Sequence, residues 1–373
     1  MNVFITGATG NVGSAVVRQL LRNAEIRFWI LLRASSEIEL AGRLHKLFVL
    51  WGLSDEEVRD AAQRIHPLQG DMGLPRFGMN QKDWEIVQDN CGYLIHAAGV
   101  VRMNLPIEDA RKYAVGSARN VIELADGIAS SGRVVNVAFV STVGVAGKQD
   151  EVLVDDWVTS DRAFHNTYEQ SKAEAESLLR GWNRSPFIRL TVHRPSMVVG
   201  ASDGEVLRHQ IFFYICEFLS GRHTKGLQPA FIDGCLDTVP VDYVADAVCW
   251  AVQNPVSDGR IFNLCSGSGR EIRLATVQDW TRQTLSDCGQ ALPRLRSFSP
   301  KVFLMIVRAL TSIAPEETRK RLGTLPILID YLNSPQVFEG KASRDYLEEM
   351  AGLRLLSPEQ YLPSIIRSFY RST

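Results

Sequence analysis

The sequence predicts a doubly wound α/β fold, and three observations carry that prediction. The chain opens on a strand, a glycine turn and a helix. Short apolar runs of strand length then recur at 26–32, 65–69, 93–97 and 134–141, separated by stretches of helical period. Its 373 residues suffice for such a sheet with a further lobe. This is the pattern of a Rossmann-type parallel sheet, expected over residues 1–200 with 231–267 returning to it. A smaller, mostly helical C-terminal lobe is expected over 201–230 and 268–373.

The opening element reads MNVFITGATGNVGSAVVRQLL. Asn2 to Thr6 is an apolar run, Gly7, Gly10 and Gly13 follow at regular spacing, and Val12, Val16, Val17, Leu20 and Leu21 repeat with helical period. A helix N-terminus carries unpaired N–H groups and a partial positive charge, so it holds a pyrophosphate once the backbone comes close. Gly7 is expected to permit the tight turn, Gly10 to clear the phosphate, and Gly13 to let the helix pack on the strand. Because the triplet follows a strand and opens a helix, it points to a dinucleotide rather than to an ordinary turn.

Ile26 to Leu32 is a second buried strand, followed by Arg33. An acid at that strand end would bind the 2′-hydroxyl of NAD; a cation meets the 2′-phosphate of NADP, so Arg33 argues for NADP. Arg43 is close enough along the next helix to serve the same phosphate, or, like Lys46, to be a solvated helix cation. Residues 34–63 are helical in pattern with a break at Gly52–Ser54, where Ser54 before an acidic turn is an expected N-cap. The strand Ile65 to Gln69 leads to Asp71, placed to accept from an adenine amino group with Met72 on the ring, or else to serve the turn.

Tyr93 to Ala97 is the next strand, and the small residues Ala97, Ala98 and Gly99 at its end offer a flat wall for a ring or ribose. His96 on that strand is expected in the core or behind the site. A long helix is expected over Asp109 to Ala125, and the strand Val134 to Ser141 ends in Ser141-Thr142. Tyr168 and Lys172 then lie four apart on a run of strong helix formers, so they share a face. A neighbouring ammonium favours phenolate and is expected to lower the phenol's pKa toward working pH.

Formal net charge is -1, which predicts no attraction to nucleic acid or anionic lipid. The cysteines at 91, 216, 235, 249, 265 and 288 form no CxxC pair, so reduced thiols are expected and no metal site. The N-terminus has no basic n-region, and the apolar stretch Val302 to Ala314 is too short to span a bilayer and carries Arg308. A soluble cytoplasmic protein is the expectation.

With these motifs in order, the chain resembles an extended short-chain dehydrogenase/reductase. The resemblance rests on TGATGNVG at Thr6–Gly13, HAAG at His96–Gly99, STVGVAG from Ser141, YEQSK from Tyr168, HRPSMVVG at His193–Gly200, VPVDYVADAV at Val239–Val248 and FNLCSG at Phe262–Gly267. LLRASS, AGRLHKL, GDMGLPRFGM and VFEGKASRDYL make it similar to the thioester reductase and fatty acyl-CoA reductase branch.

The resemblance implies Tyr168 as proton donor, Lys172 as ribose ligand, and Thr142 as hydrogen-bonding partner of the substrate oxygen. It implies NADPH as cofactor and adds Thr9, Asn11, Val12, Pro195, Ser196 and Val198 to its contacts. One departure is Ala114, where the family often carries Asn. The implied reaction is reduction of an acyl thioester, on CoA or on a carrier protein supplied in trans, to an aldehyde or, with a second hydride, to an alcohol. The substrate is expected over the nicotinamide, under 201–230 and the lobe from Arg273, where Ile211, Phe212, Phe213, Ile215 and Phe218 form a core stripe or an acyl channel. The alternatives are a ketone, sterol or sugar-nucleotide reductase of the same family, or an NADP-sensing scaffold without catalysis.

Overall fold

The computed structural model describes residues 1–149, 151–231, 234–313, 325–333 and 338–372. They form two compact units: 1–196 with 241–264 and 339–354, and 197–240 with 265–338 and 355–373.

The first unit is built on seven strands, β1 (Asn2–Thr6), β2 (Arg27–Leu32), β3 (Ile65–Gln69), β4 (Tyr93–His96), β5 (Val135–Val140), β6 (Ile188–Pro195) and β7 (Ile261–Leu264). All pair in parallel in the order β3-β2-β1-β4-β5-β6-β7. The helices between them are α1 (Asn11–Leu21), α2 (Glu37–Leu50), α3 (Asp55–Arg64), α4 (Gln81–Asn90), α5 (Ile107–Ser130), α6 (Thr167–Arg180), α7 (Val241–Gln253) and α8 (Lys341–Ala351). Side chains alternate along each strand, so the sheet feeds two cores. Phe4, Val137 and Phe139 pack with α4, α5 and α6, while Val3, Ile5 and Ala138 pack with α1, α2 and α7. Burial on both faces is why the strands read as nearly continuous apolar runs.

Local signals behave as expected at α3, where Ser54 accepts from Glu57 N and Glu57 reaches back to Ser54 N in a complete capping box. The long helix departs from its expected end. It runs on through Gly127 because Ile128 and Ala129 are buried in the core, and burial outweighs a single glycine's propensity cost.

The division of the chain differs from the expected boundaries: 197–200 and 265–267 fall in the second unit, and two longer stretches change sides. Residues 235–240 belong to the second unit, since Cys235–Leu236 pairs with Ile272–Arg273 and Thr238–Pro240 with Met197–Val199. Residues 339–354 return to the first: Asn263 N donates to Ser343 Oγ at 2.9 Å and Ser343 Oγ to Asp155 at 2.7 Å, while Tyr346 packs on Phe262.

In the second unit the helices Ile211–Ser220, Leu274–Asp287 and Pro358–Ser372 enclose one core. Phe212, Phe213, Ile215 and Phe218 are all buried, and Phe213 stacks on Phe369 at 4.1 Å. This stripe is therefore core and not the wall of an acyl channel; only Ile211 of the five is exposed. Among the described residues no helix is long and apolar enough to cross a membrane. Ala314 and Val337, at the ends of two stretches singled out in the sequence, lie outside the described residues.

Candidate nucleotide and active site

Strand order reverses at β1, which has β2 on one side and β4 on the other. In open parallel sheets such a switch point leaves a crevice at the strand C-termini, and here Gly7 and Ala97 lie at that edge. Gly7 has φ +82°, and a Cβ on it would sit 2.4 Å from Ala98 N. Gly10 N donates to Gly7 O at 2.8 Å and closes the turn. A Cβ on Gly13 would lie 2.2 Å from Gly7 O, so Gly13 closes against the turn itself and not against the strand as expected. Gly10 caps α1 with no side-chain bond, and Thr9 and Gly10 are exposed. The helix dipole is thus left for an anion, with Asn11 and Val12 in its first turn.

Arg33 is exposed at the end of β2. Arg43, open by its spacing to the phosphate or to solvent, pairs with Glu39 at the surface: its Nε donates to Glu39 Oε1 at 2.9 Å. Ser35 N and Oγ both donate to the other oxygen, and these bonds hold the Glu39 carboxyl down at about 2, so the acid is charged and ready to hold the arginine. Asp71 Oδ1 accepts from Gly73 N at 2.9 Å, as a turn residue does, and the partly buried Met72 packs against the sheet core. Asn120 was not singled out in the sequence. Buried on α5, it accepts from Arg76 N and donates to the carbonyls of Met72 and Leu74, bracing a loop in which Arg76 and Phe77 are left-handed at φ 50° and 56°. An Asn inside a helix with three backbone partners leaves no periodic trace.

Across the crevice, Thr142 follows β5 and its Oγ1 accepts from Gly144 N at 3.1 Å. The Tyr168 phenol, on the first turn of α6, lies beside the Thr142 side chain. Lys172, 4% exposed, donates from Nζ to Val140 O at 2.8 Å and lies over the Phe139 ring. The chain thus brings Thr142 and Tyr168 together and seats Lys172 one turn on.

Their protonation corrects the expectation from spacing. Burial pushes the Tyr168 phenol up to about 12, opposed by the Thr142 hydrogen bond and helped by the Glu169 charge. Spacing alone makes the lysine the dominant influence, whereas desolvation dominates in the fold, with the ammonium bonded to a backbone carbonyl. Burial also brings Lys172 down to about 8, partly offset by Glu176.

His96 is structural, as expected. Thr6 Oγ1 lies 2.8 Å from its Nδ1 and Ser117 Oγ 3.1 Å from its Nε2, the ring stacks on Phe139, and burial lowers it to about 3. Ser117 Oγ also donates to the carbonyl of Ala114.

Among the described residues the buried hydroxyls of Ser141 and Ser196 have no hydrogen-bond partner. Pro195 ends β6, and Ser196 N donates to Leu264 O at 3.0 Å. Val198 lies beyond the unit boundary in the short strand Met197–Val199. A glycine cradle that no Cβ could enter at Gly7 or Gly13, an uncapped helix, an exposed arginine at the strand end and two buried hydroxyls without partners fit a phosphorylated dinucleotide.

Residues 5–248 match the model of the NAD-binding male sterility protein family. The chain belongs to that family. It is a family of nicotinamide-dependent oxidoreductases within the extended short-chain dehydrogenase/reductases, on the branch that carries thioester reductases. The L-2-aminoadipate reductase of Saccharomyces cerevisiae is 28% identical over 280 residues, covering 70% of this chain but 19% of that protein. The terminal R domain from the myxalamid PKS-NRPS pathway shares the fold at TM-score 0.80 and 24% identity, covering 100% of this chain and 90% of that one. A thiolation-reductase di-domain from an archaeal non-ribosomal peptide synthetase does so at TM-score 0.71 and 17% identity, covering 100% and 75%. The chain therefore spans about a fifth of the length of the curated relative.

Proposed function

We propose that this protein is an NADPH-dependent reductase of acyl thioesters, presented on CoA or on a carrier protein in trans, yielding an aldehyde. The observation that carries the reading is the Tyr168 phenol set beside Thr142, with Lys172 buried one turn on, at the open edge of a glycine cradle. The thioester as substrate is supported by the relatives, which are named as an aminoadipate reductase and as reductase domains of peptide and polyketide synthetases.

NADPH, when bound, supplies the hydride. Gly7, Gly10 and Gly13 let its phosphates approach the N-terminus of α1, Arg33 meets the 2′-phosphate, and Lys172 holds the ribose beside the wall of Ala97, Ala98 and Gly99. Thr142 and Tyr168 donate to the thioester oxygen as it gains charge, which is worth most in a site shielded from water. A phenol raised to about 12 keeps its proton at neutral pH, so Tyr168 is ready to give it up in the reductive direction. The hemithioacetal then collapses to aldehyde and thiol, and a second round would give the alcohol. The thiols of Cys91, Cys216 and Cys249 are buried, which suits a cytoplasmic setting.

The test is NADPH consumption, with product identification, against acyl-CoAs, carrier-bound acyl groups and free ketones, with NADH in parallel. Consumption with release of one thiol and one aldehyde is expected. Turnover of ketones alone, or none with any acceptor despite NADPH binding, would overturn the proposal.

A further inference from the structure

We infer that Glu169 is a positioning residue, whose buried side chain locks the segment bearing Thr142 against the helix bearing Tyr168. The inference rests on the reaction proposed above, in which Glu169 itself makes no contact with the reacting groups.

Glu169 is 4% exposed, an unusual place for a carboxylate. Both of its oxygens are held. Oε2 accepts from His165 N at 3.0 Å and Oε1 from Asn166 Nδ2 at 3.0 Å, while Glu169 N donates back to Asn166 Oδ1 at 3.0 Å. The charged groups that face it are Lys148 and His165, with the Tyr168 phenol beside it. With its head pinned, the stem cannot swing, and its Cγ fills the space beside Gly144, where a Cβ would lie only 2.9 Å away. Gly144 N in turn donates to Thr142 Oγ1, and the Tyr168 phenol lies against the Thr142 side chain.

The contacts therefore close a ring: α6 to Glu169, Glu169 to Gly144, Gly144 to Thr142, and Thr142 back to Tyr168 on α6. A second set of bonds ties the same two segments further out, Arg162 Nε to Val145 O at 2.7 Å and Lys148 N to Ala163 O at 2.7 Å. A carboxylate suits the place because it accepts on both oxygens at once, whereas an amide turns donors toward one of them. Proton transfer to a substrate oxygen tolerates little misplacement, so loosening this ring acts on turnover more than on cofactor affinity.

The experiment compares wild type with Glu169→Ala and Glu169→Gln, using NADPH and octanoyl-CoA, or octanal where the wild type prefers it. Glu169→Ala is expected to lower kcat about tenfold or more with NADPH Kd within twofold of wild type. Glu169→Gln keeps the stem and one accepted bond and recovers most of the rate. From the other side of the contact, Gly144→Ala loses turnover alone but adds little to Glu169→Ala. A 13C-tyrosine NMR spectrum, with Tyr168 assigned through Tyr168→Phe, needs no acceptor: the Tyr168 resonance moves in Glu169→Ala and stays in Glu169→Gln. Turnover and resonance unchanged in Glu169→Ala, additive losses in the pair, or a loss of NADPH binding equal to the loss of kcat would each overturn the inference. If Tyr168→Phe itself keeps full turnover, it is the proposed reaction that fails.

Discussion

Lys172 Nζ donates to the carbonyl oxygen of Val140 across 2.8 Å, from a position 4% exposed. The carbonyl fixes the ammonium, and burial brings its pKa down from 10.5 to about 8. The sign of the consequences follows. Below pH 8 the folded protein carries a buried charge that costs stability, and that cost is relieved as pH rises from 8 toward 10.5, where the unfolded chain still holds the proton. Binding that uses the ammonium behaves in the opposite sense. NADPH affinity should hold steady from pH 6.5 to 7.5 and weaken above about pH 8, by up to roughly tenfold per unit. Lys172→Met should bind more weakly with no such slope. A titration by nicotinamide fluorescence checks both, and a wild-type Kd flat to pH 9.5 refutes the role.

In the proposed reaction the phenol and hydroxyl across the crevice are expected to act on chemistry and not on binding. Tyr168→Phe should leave NADPH Kd nearly unchanged and lower kcat on the order of 10²- to 10⁴-fold. Thr142→Ala should cost about 10²-fold, since it removes the proposed donor to the substrate oxygen and the side chain beside the Tyr168 phenol. Parallel losses in kcat and NADPH affinity would assign these residues to the cofactor instead.

Arg33 stands exposed at the end of β2 while Arg43 is held by Glu39. Cofactor choice should therefore hang on Arg33. Arg33→Glu should weaken NADPH by about 1.5–3 kcal/mol, roughly ten- to a hundredfold, and leave NADH within a few-fold. Arg43→Ala should change the NADPH to NADH ratio much less. Equal losses for both cofactors on Arg33→Glu would remove the arginine from the phosphate.

Two glycines with opposite surroundings offer a matched pair. Gly13→Ala would push a methyl to 2.2 Å from Gly7 O, so the turn must open; a cost of about 1–3 kcal/mol and loss of NADPH binding are expected. At Gly42, inside α2, a methyl would meet nothing within 4 Å, and Gly42→Ala should stabilise by about 0.5–1 kcal/mol. Thermal unfolding with and without NADPH separates them, and a neutral Gly13→Ala would refute the tight cradle.

What is legible in the sequence is whatever depends on neighbours along the chain. The strands announce themselves because both faces of the sheet are buried, the Ser54–Glu57 box is local, and Tyr168 and Lys172 share a helix face by spacing alone. What is not legible depends on partners fixed by folding. Spacing leaves Arg43 open to a phosphate or to solvent, and its surface partner Glu39, kept charged by the bonds from Ser35, is shown only by the fold. The direction of the Tyr168 shift turns on burial, which the motif does not encode. Asn120 and the return of 339–354 to the first unit join segments far apart in sequence, and neither has a periodic signature.

The most deeply buried ion pair of the first unit yields the last expectation. Arg194, 0% exposed on β6, donates to Glu176 through Nη2 at 2.6 Å and through Nε at 3.0 Å, and its Nη1 reaches the carbonyls of Val154 and Asp156. The arginine thus joins β6, α6 one turn beyond Lys172, and the segment that precedes the Tyr168 helix. Removing one partner strands the other's charge in a dry interior, so Arg194→Met and Glu176→Gln should each destabilise by about 3–5 kcal/mol. Replacing both, Arg194→Met with Glu176→Leu, removes the stranded charge and should cost much less than the sum, leaving mainly the two carbonyls without donors. Urea unfolding of the three variants measures the coupling. Strictly additive losses would mean that Arg194 holds the 154–156 carbonyls and owes little to Glu176.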